Sequence, residues 1–309
     1  MKIVILDALT FGETSLSEFF KLGDVDIFQT TSPQQTQERI TDANVIVTNK
    51  VVISEAHISN APALKLICVA ATGMNNVDLQ AAKKRDVLVK NVSGYSTDSV
   101  IQHTFSMLFY LLAHSKYYDN YVKEGYYAKS PIFTDVSHPF FEVKGKKWGI
   151  IGLGEIGLGV AKVAKTFGAE ICYFSTSGKN HNQDYKQVEL DELLKTSHIV
   201  TIHAPLNEKT LNLLDYEQLL ICRDGAVVLN LGRGGIINEE AVAKVVDEKN
   251  IYFGLDVLKS EPMEKNHPLL HVKNIDNLYI TPHIAWASIE AREKLIAGVI
   301  ENIKLFTSR

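Results

Sequence analysis

One stretch limits what this chain can fold into more than any other: Lys147 to Gly157, which reads KWGIIGLGEIG. The apolar run Trp148 to Ile151 is too short for a buried helix and ends at a glycine, so it predicts a buried parallel strand that breaks into a turn. Gly152, Gly154 and Gly157 then give G-x-G-x-x-G. Each glycine has its own task in a strand–turn–helix. Gly152 permits the tight turn, Gly154 removes a side chain where backbone must approach a pyrophosphate, and Gly157 lets the helix pack close to the strand. The helix runs past Val160, Val163, Ala164 and Phe167 and stops at Gly168, a C-terminal signal. Its first turn aims free N–H groups and a partial positive charge at phosphates. A second apolar run, Ile171 to Phe174, supplies the next strand that the fingerprint needs. The expectation is a dinucleotide-binding unit placed in mid-chain.

The rest of the chain repeats this logic. Residues 2–8, 45–48, 64–70 and 87–92 read as strands ahead of it, and 199–203, 226–231, 252–257 and 278–281 as strands after it. Helices are expected over about 15–22, 76–84, 189–196 and 215–221, after the cap Asn238, and from the cap Ser288 to about Phe306. A long helix is expected from about Asp98 to Tyr118, capped by Thr97 or Asp98, with an irregular aromatic segment at 119–146. Alternating strands and helices favour parallel sheets covered on both faces. The fold class is therefore α/β, with two doubly wound parallel-sheet domains, as 309 residues allow. The long helix and the 119–146 segment are read as the crossover. A net charge of -4 supplies no basic face for nucleic acid, and no apolar run is long enough to span a membrane. Cys68, Cys172 and Cys222 stand singly, as thiols do in a reducing compartment, so the cytoplasm is expected.

Ligands in open parallel sheets bind beyond the carboxyl ends of the strands. After 226–231 stand Gly232-Arg233-Gly234-Gly235. Asp256 then Glu261 follow at the next strand, and His283 at the last. An arginine between glycines can offer its planar fork to a carboxylate. Glu261 can bond one nitrogen of His283 and fix its tautomer, leaving the other for proton transfer. Together they suit reduction of a 2-oxo acid: Arg233 holds the carboxylate, hydride reaches C2 from a dihydronicotinamide, and His283 protonates the carbonyl oxygen. Each residue alone would read blandly, as a turn arginine, an exposed glutamate or a packed histidine. Asp256 is expected to orient its neighbours. His267 and His271 have the spacing of a helical metal pair, but Pro268 between them reads as a loop, so no metal site is expected. The tyrosines from Tyr117 to Tyr127 lack a basic groove and read as packing.

The chain resembles the D-isomer-specific 2-hydroxyacid dehydrogenase family over its whole length. The matching pieces are GLGEIG at 152–157, HAPLNEKT at 203–210, NLGRGG at 230–235, GLDVLKSEP at 254–262 and TPHIAW at 281–286. The resemblance implies a flavodoxin-like substrate domain, 1–99 plus 285–309, and a Rossmann dinucleotide-binding domain, 100–284. It implies a homodimer, Arg233 as anchor and Glu261–His283 as acid/base relay. It implies substrate contacts from Thr72, Gly73, Met74 and Trp286. Cofactor contacts are implied at Thr104, Gly152, Gly154, Glu155, Ile156, Gly157, His203, Ala204, Pro205, Leu231, Gly232, Arg233, Asp256, His283 and Ala285. Gln102 stands where the family often has Glu. TPHIAWAS points to glycerate dehydrogenase or hydroxypyruvate reductase, with glyoxylate or pyruvate reduction close behind. A dinucleotide-sensing corepressor-type module is the alternative from another class.

The carboxylate that usually contacts the ribose 2′-OH, about 20 residues beyond the first glycine, is missing. Residues 172–180 read CYFSTSGKN. Ser175, Thr176, Ser177 and Lys179 suit a 2′-phosphate, so the reading leans to NADP, with NAD held through hydroxyls as the alternative.

Overall fold

The structure, a computed structural model, describes residues 1–179 and 181–308. The strands are β1 (Lys2–Ile5), β2 (Asp24–Ile27), β3 (Val45–Thr48), β4 (Leu66–Val69), β5 (Leu88–Lys90), β6 (Lys147–Ile151), β7 (Glu170–Phe174), β8 (Lys186–Gln187), β9 (Ile199–Ile202), β10 (Ala226–Asn230), β11 (Ile251–Leu255) and β12 (Leu278–Ile280). The helices are α1 (Pro33–Ile40), α2 (Glu55–Ser59), α3 (Leu79–Lys84), α4 (Thr97–Leu112), α5 (Ser115–Lys123), α6 (Glu155–Thr166), α7 (Leu190–Thr196), α8 (Tyr216–Leu220), α9 (Glu239–Glu248) and α10 (Ile289–Thr307). They fall into two compact units, Met1–Ser96 with Trp286–Arg309, and Thr97–Ala285. No described helix is long and apolar enough to cross a membrane.

The first unit holds a parallel sheet in the order β2-β1-β3-β4-β5, the doubly wound order of a flavodoxin-like fold. β3 and β4 are buried at every position, which is why they read as continuous apolar runs. One face packs against Leu295, Ile296, Val299 and Ile303 of α10, and the other against Ile40, Ile58, Ala81 and Ala82. Ser288 caps α10 through the Ala291 N–H.

The second unit holds a parallel sheet in the order β12-β11-β10-β9-β6-β7-β8. The chain runs outward from β6 through β7 to β8, returns to β9, and continues to β12. The strand order thus reverses between β6 and β9, the place where ligands bind in such sheets. Trp148 of β6 is fully buried, and its indole N–H donates to Thr201 Oγ1 at 3.1 Å, so a large side chain enters the core without an unpaired donor. Burying each aliphatic side chain of these strands contributes about 1.5–3 kcal/mol.

Both doubly wound sheets expected from the alternation are present. The local differences have physical reasons. β2 (DVDI) lies at the sheet edge with no buried residue, so it carries no apolar run to betray it. α1 buries only Thr36 and Ile40, too few for a stripe. α2 and β8 are short. The segment expected as a helix over 15–22 is only a 3-10 turn, Ser17–Lys21. The long helix ends at Leu112, because His114 takes a left-handed conformation with φ 47°, and a separate α5 follows. Thr97 is the first residue of α4.

Candidate active site

The pairing registers put the ends of six strands level. Phe174 pairs with Ile151, Ile151 with Ile202, Ile202 with Asn230, Asn230 with Leu255, and Leu255 with Ile280. The next residues in each strand, Ser175, Gly152, His203, Leu231, Asp256 and Thr281, therefore form one row along the carboxyl rim. Nearly all the site residues expected in this unit stand on this row or just beyond it.

The glycine turn occupies the middle. Gly152 has φ +90°, and a Cβ there would meet the Ala204 backbone at 2.9 Å, so this turn admits only glycine. A Cβ on Gly157 would run into the Gly152 carbonyl oxygen. At Gly154 a Cβ would meet nothing within 4 Å, so open space lies before the first turn of α6. No side chain caps that turn from Gly154, which leaves its N–H groups directed outward. Glu155 accepts from the Thr97 hydroxyl at 2.9 Å, and Ile156 packs against the core.

On either side of this turn stand polar atoms without protein partners. Ser175 Oγ and both ring nitrogens of His203 are shielded from solvent and make no hydrogen bond among the described residues. Burial pushes His203 down to about 3, so its ring is neutral at neutral pH. Ala204 is buried, and Pro205 offers its carbonyl to Thr210 at 2.7 Å. Beyond Ser175, Thr176 is half-buried and Ser177 and Lys179 are exposed. An uncapped helix start, an open glycine and unpaired polar groups fit a bound dinucleotide. Thr104 does not join them: it is fully buried and its hydroxyl donates to Val100 O at 2.8 Å.

The other end of the row is tightly bonded. Asn230 accepts from Gly232 N (3.1 Å) and donates to Arg233 O (2.9 Å), which fixes the arginine's turn. Arg233 is half-buried, and Nη1 donates to Gly232 O at 2.8 Å. Asp256 is buried and accepts from Thr281 Oγ1 (2.7 Å), Ile284 N (2.8 Å) and Ala285 N (3.0 Å). It thereby holds the loop in which His283 takes φ 54°, a conformation that persists only when neighbours impose it. His283 Nδ1 lies 2.7 Å from Glu261 Oε2. A carboxylate only accepts, so Nδ1 carries the proton. Glu261 Oε1 accepts from Leu258 N at 2.9 Å.

Sequence reasoning missed His103 of α4, whose Nε2 lies 3.3 Å from Thr281 Oγ1 and 3.7 Å from Asp256. Burial lowers its pKa, opposed by the Asp256 charge. The only signal was a histidine within a largely apolar helix. His267 bonds Glu239 at 2.9 Å beside the 3-10 turn Pro268–Leu270. Among the described residues, no group of three or more His, Cys, Asp and Glu side chains gathers to hold a metal.

Thr72, Gly73, Met74 and Trp286 belong to the first unit. The first three lie in the loop after β4, where Thr72 O accepts from Asn91 Nδ2 at 2.6 Å. Trp286 meets Tyr95 edge-on, with ring centroids 6.2 Å apart.

Comparison with known proteins agrees with this geometry. The family described as "D-isomer specific 2-hydroxyacid dehydrogenase, NAD binding domain" matches residues 105–285. A putative 2-hydroxyacid dehydrogenase of Haemophilus influenzae is 37% identical over 91% of this chain and 90% of its own. A hydroxypyruvate reductase of Blautia hydrogenotrophica is 33% identical over 99% of this chain and 97% of its own. The solved structure of the TT0316 protein from Thermus thermophilus superposes with a TM-score of 0.88 at 26% identity, covering 100% of this chain and 98% of that one. With the fingerprint, the rim and these matches in agreement, the chain belongs to the D-isomer specific 2-hydroxyacid dehydrogenases, oxidoreductases that work with a nicotinamide dinucleotide.

Proposed function

We propose that this enzyme interconverts hydroxypyruvate and D-glycerate. The observation that carries the chemistry is the 2.7 Å contact between Glu261 and His283 on the same rim as Arg233. The choice of substrate is supported by the hydroxypyruvate reductase that matches over 99% of this chain. When bound, the dihydronicotinamide supplies the hydride that adds to C2 of the 2-oxo acid. Arg233 takes the substrate carboxylate with the donors that Gly232 leaves unused. His283, with Nδ1 held by Glu261, delivers the proton from Nε2 to the carbonyl oxygen, and in the reverse direction Nε2 receives it. Glu261 balances the positive charge on the ring whenever both nitrogens carry protons. Such proton transfer contributes roughly 10²- to 10⁴-fold. Thr72, Gly73, Met74 and Trp286 are the further substrate contacts in this reading.

NADP is the proposed cofactor. The residue at the usual acidic position is Ser175, so no fixed negative charge opposes a 2′-phosphate. Ser175 Oγ has no protein partner among the described residues, and with Thr176, Ser177 and Lys179 it is among the groups proposed to meet that phosphate. The family resemblance supports a homodimer. Three unpaired cysteines suit the cytoplasm. The test is oxidation of NADH and NADPH with hydroxypyruvate, glyoxylate and pyruvate in parallel. Highest kcat/KM for hydroxypyruvate with NADPH is expected; preference for glyoxylate or pyruvate would reassign the substrate, and preference for NADH the cofactor.

A further inference from the structure

Glu261 sits in a segment without regular secondary structure between β11 and the Pro268–Leu270 turn. Something other than a helix or strand must hold its carboxylate against His283. The carboxylate of Glu239, the first residue of α9, contacts this segment twice. Its Oε1 accepts from Lys259 N at 2.6 Å, two residues before Glu261, and its Oε2 meets His267 Nε2 at 2.9 Å, six residues after it. The Glu239 and His267 side chains are only 11% and 9% exposed, so water does little to loosen the pair.

The tautomer of His267 follows from its second bond. Nδ1 accepts from Leu269 N at 3.4 Å and caps the 3-10 turn, so Nε2 carries the proton and donates to Glu239. A single carboxylate thus pins both ends of the segment that carries Glu261. The adjacent turn is locked as well: a Cβ on Gly234 would strike the Leu258 carbonyl, so the segment packs directly on the arginine's turn.

We infer that Glu239 and His267 form a second carboxylate–imidazole pair whose task is to position Glu261 for His283. Neither residue touches the reacting atoms; both act through the backbone at 259–267. The inference rests on the roles proposed for Glu261 and His283, and that dependence can be separated by experiment. A Glu239→Gln side chain has only one acceptor oxygen, so it must lose either Lys259 N or His267. His267→Asn keeps an acceptor near Nδ1 for the turn but no longer reaches Glu239. His267→Gln keeps a donor near Nε2 for Glu239 but gives up the cap.

The measurement is kcat for reduction of hydroxypyruvate or glyoxylate, whichever turns over faster, together with Kd for the preferred reduced dinucleotide. Glu261→Gln serves as the reference. Glu239→Gln and His267→Asn should lower kcat roughly ten- to a hundredfold, as small misplacements do, with dinucleotide Kd unchanged. His267→Gln should restore most of the wild-type kcat. The inference is overturned if His267→Asn keeps full kcat, if His267→Gln loses as much as His267→Asn, or if dinucleotide binding fails along with kcat, which places the pair in folding alone. If Glu261→Gln also turns over normally, the acid–base reading falls and takes this one with it. If only Glu261→Gln is impaired, the positioning pair alone is wrong.

Discussion

The two ends of the second unit's rim differ in how their polar groups are used. Around β6, β7 and β9, the start of α6 lacks a side-chain cap from Gly154, and Ser175 Oγ and the His203 ring have no partners. Past β10, β11 and β12, the carboxylates of Asp256, Glu261 and Glu239 each accept at least two hydrogen bonds. An unpaired buried polar group costs about 1–3 kcal/mol, so the first end is stabilised by whatever supplies partners. The second end is fixed in geometry by the protein itself, as proton transfer requires. In the proposed reading a recognition surface for the dinucleotide adjoins a pre-set acid–base surface, and substitutions on the two should fail differently.

After the acid–base histidine, the largest contrast is expected at Arg233. Arg233→Ala removes charge-assisted bonds of about 1.5–3 kcal/mol, and kcat/KM for the 2-oxo acid should fall roughly ten- to a hundredfold or more, well beyond any change in dinucleotide Kd. Steady-state kinetics beside a fluorescence titration reads both. Arg233→Lys should rescue it poorly, because a point charge does not replace a planar fork. Gly154→Asp is the mirror case. Its side chain fills the open space before α6 and sets negative charge against the phosphates, so dinucleotide binding should weaken by at least about 1–3 kcal/mol. The Glu261–His283 geometry should survive.

Ser175→Asp sharpens the comparison within the binding end. NADPH should bind roughly tenfold more weakly or worse, since like charges are brought together, while NADH changes little. Equal NADPH affinity in the variant would remove the proposed cofactor preference. The last contrast concerns stability, and near neutral pH it is small. His203 is pushed from its ordinary 6.5 down to about 3 by burial. Between those values the unfolded chain binds a proton that the folded chain refuses, so stability is lost as pH drops from about 6.5 toward 3. Denaturant midpoints measured across this window should fall with pH, and less steeply in His203→Gln.

What could be read from sequence follows the same division. The positions of the glycine turn, Arg233, Asp256 and Glu261 were legible because each follows a buried strand, and buried parallel strands announce themselves as apolar runs; His283 follows β12, an edge strand that was still readable because its three residues are apolar. β2 and α1 were not, since edge strands and lightly buried helices carry mostly polar residues. The break at His114 was hidden because the residues before it stay apolar. Within the site, the level row of six strand ends depends on register, which no single strand encodes. Glu239 stands directly after the expected cap Asn238, and His267 read as part of a loop; their pairing spans 28 residues and has no local signature. Thr104, expected at the cofactor, is instead bonded to its own helix.

The most direct test is kcat and dinucleotide Kd of His283→Asn, measured beside the wild-type enzyme with hydroxypyruvate. If the rim pair carries the proton, kcat falls roughly 10²- to 10⁴-fold while dinucleotide Kd changes far less, because the binding end of the row is untouched and His283 is only one of many expected cofactor contacts. Turnover close to wild type in a variant that still binds dinucleotide would contradict the account, and would place the proton donor elsewhere on the rim.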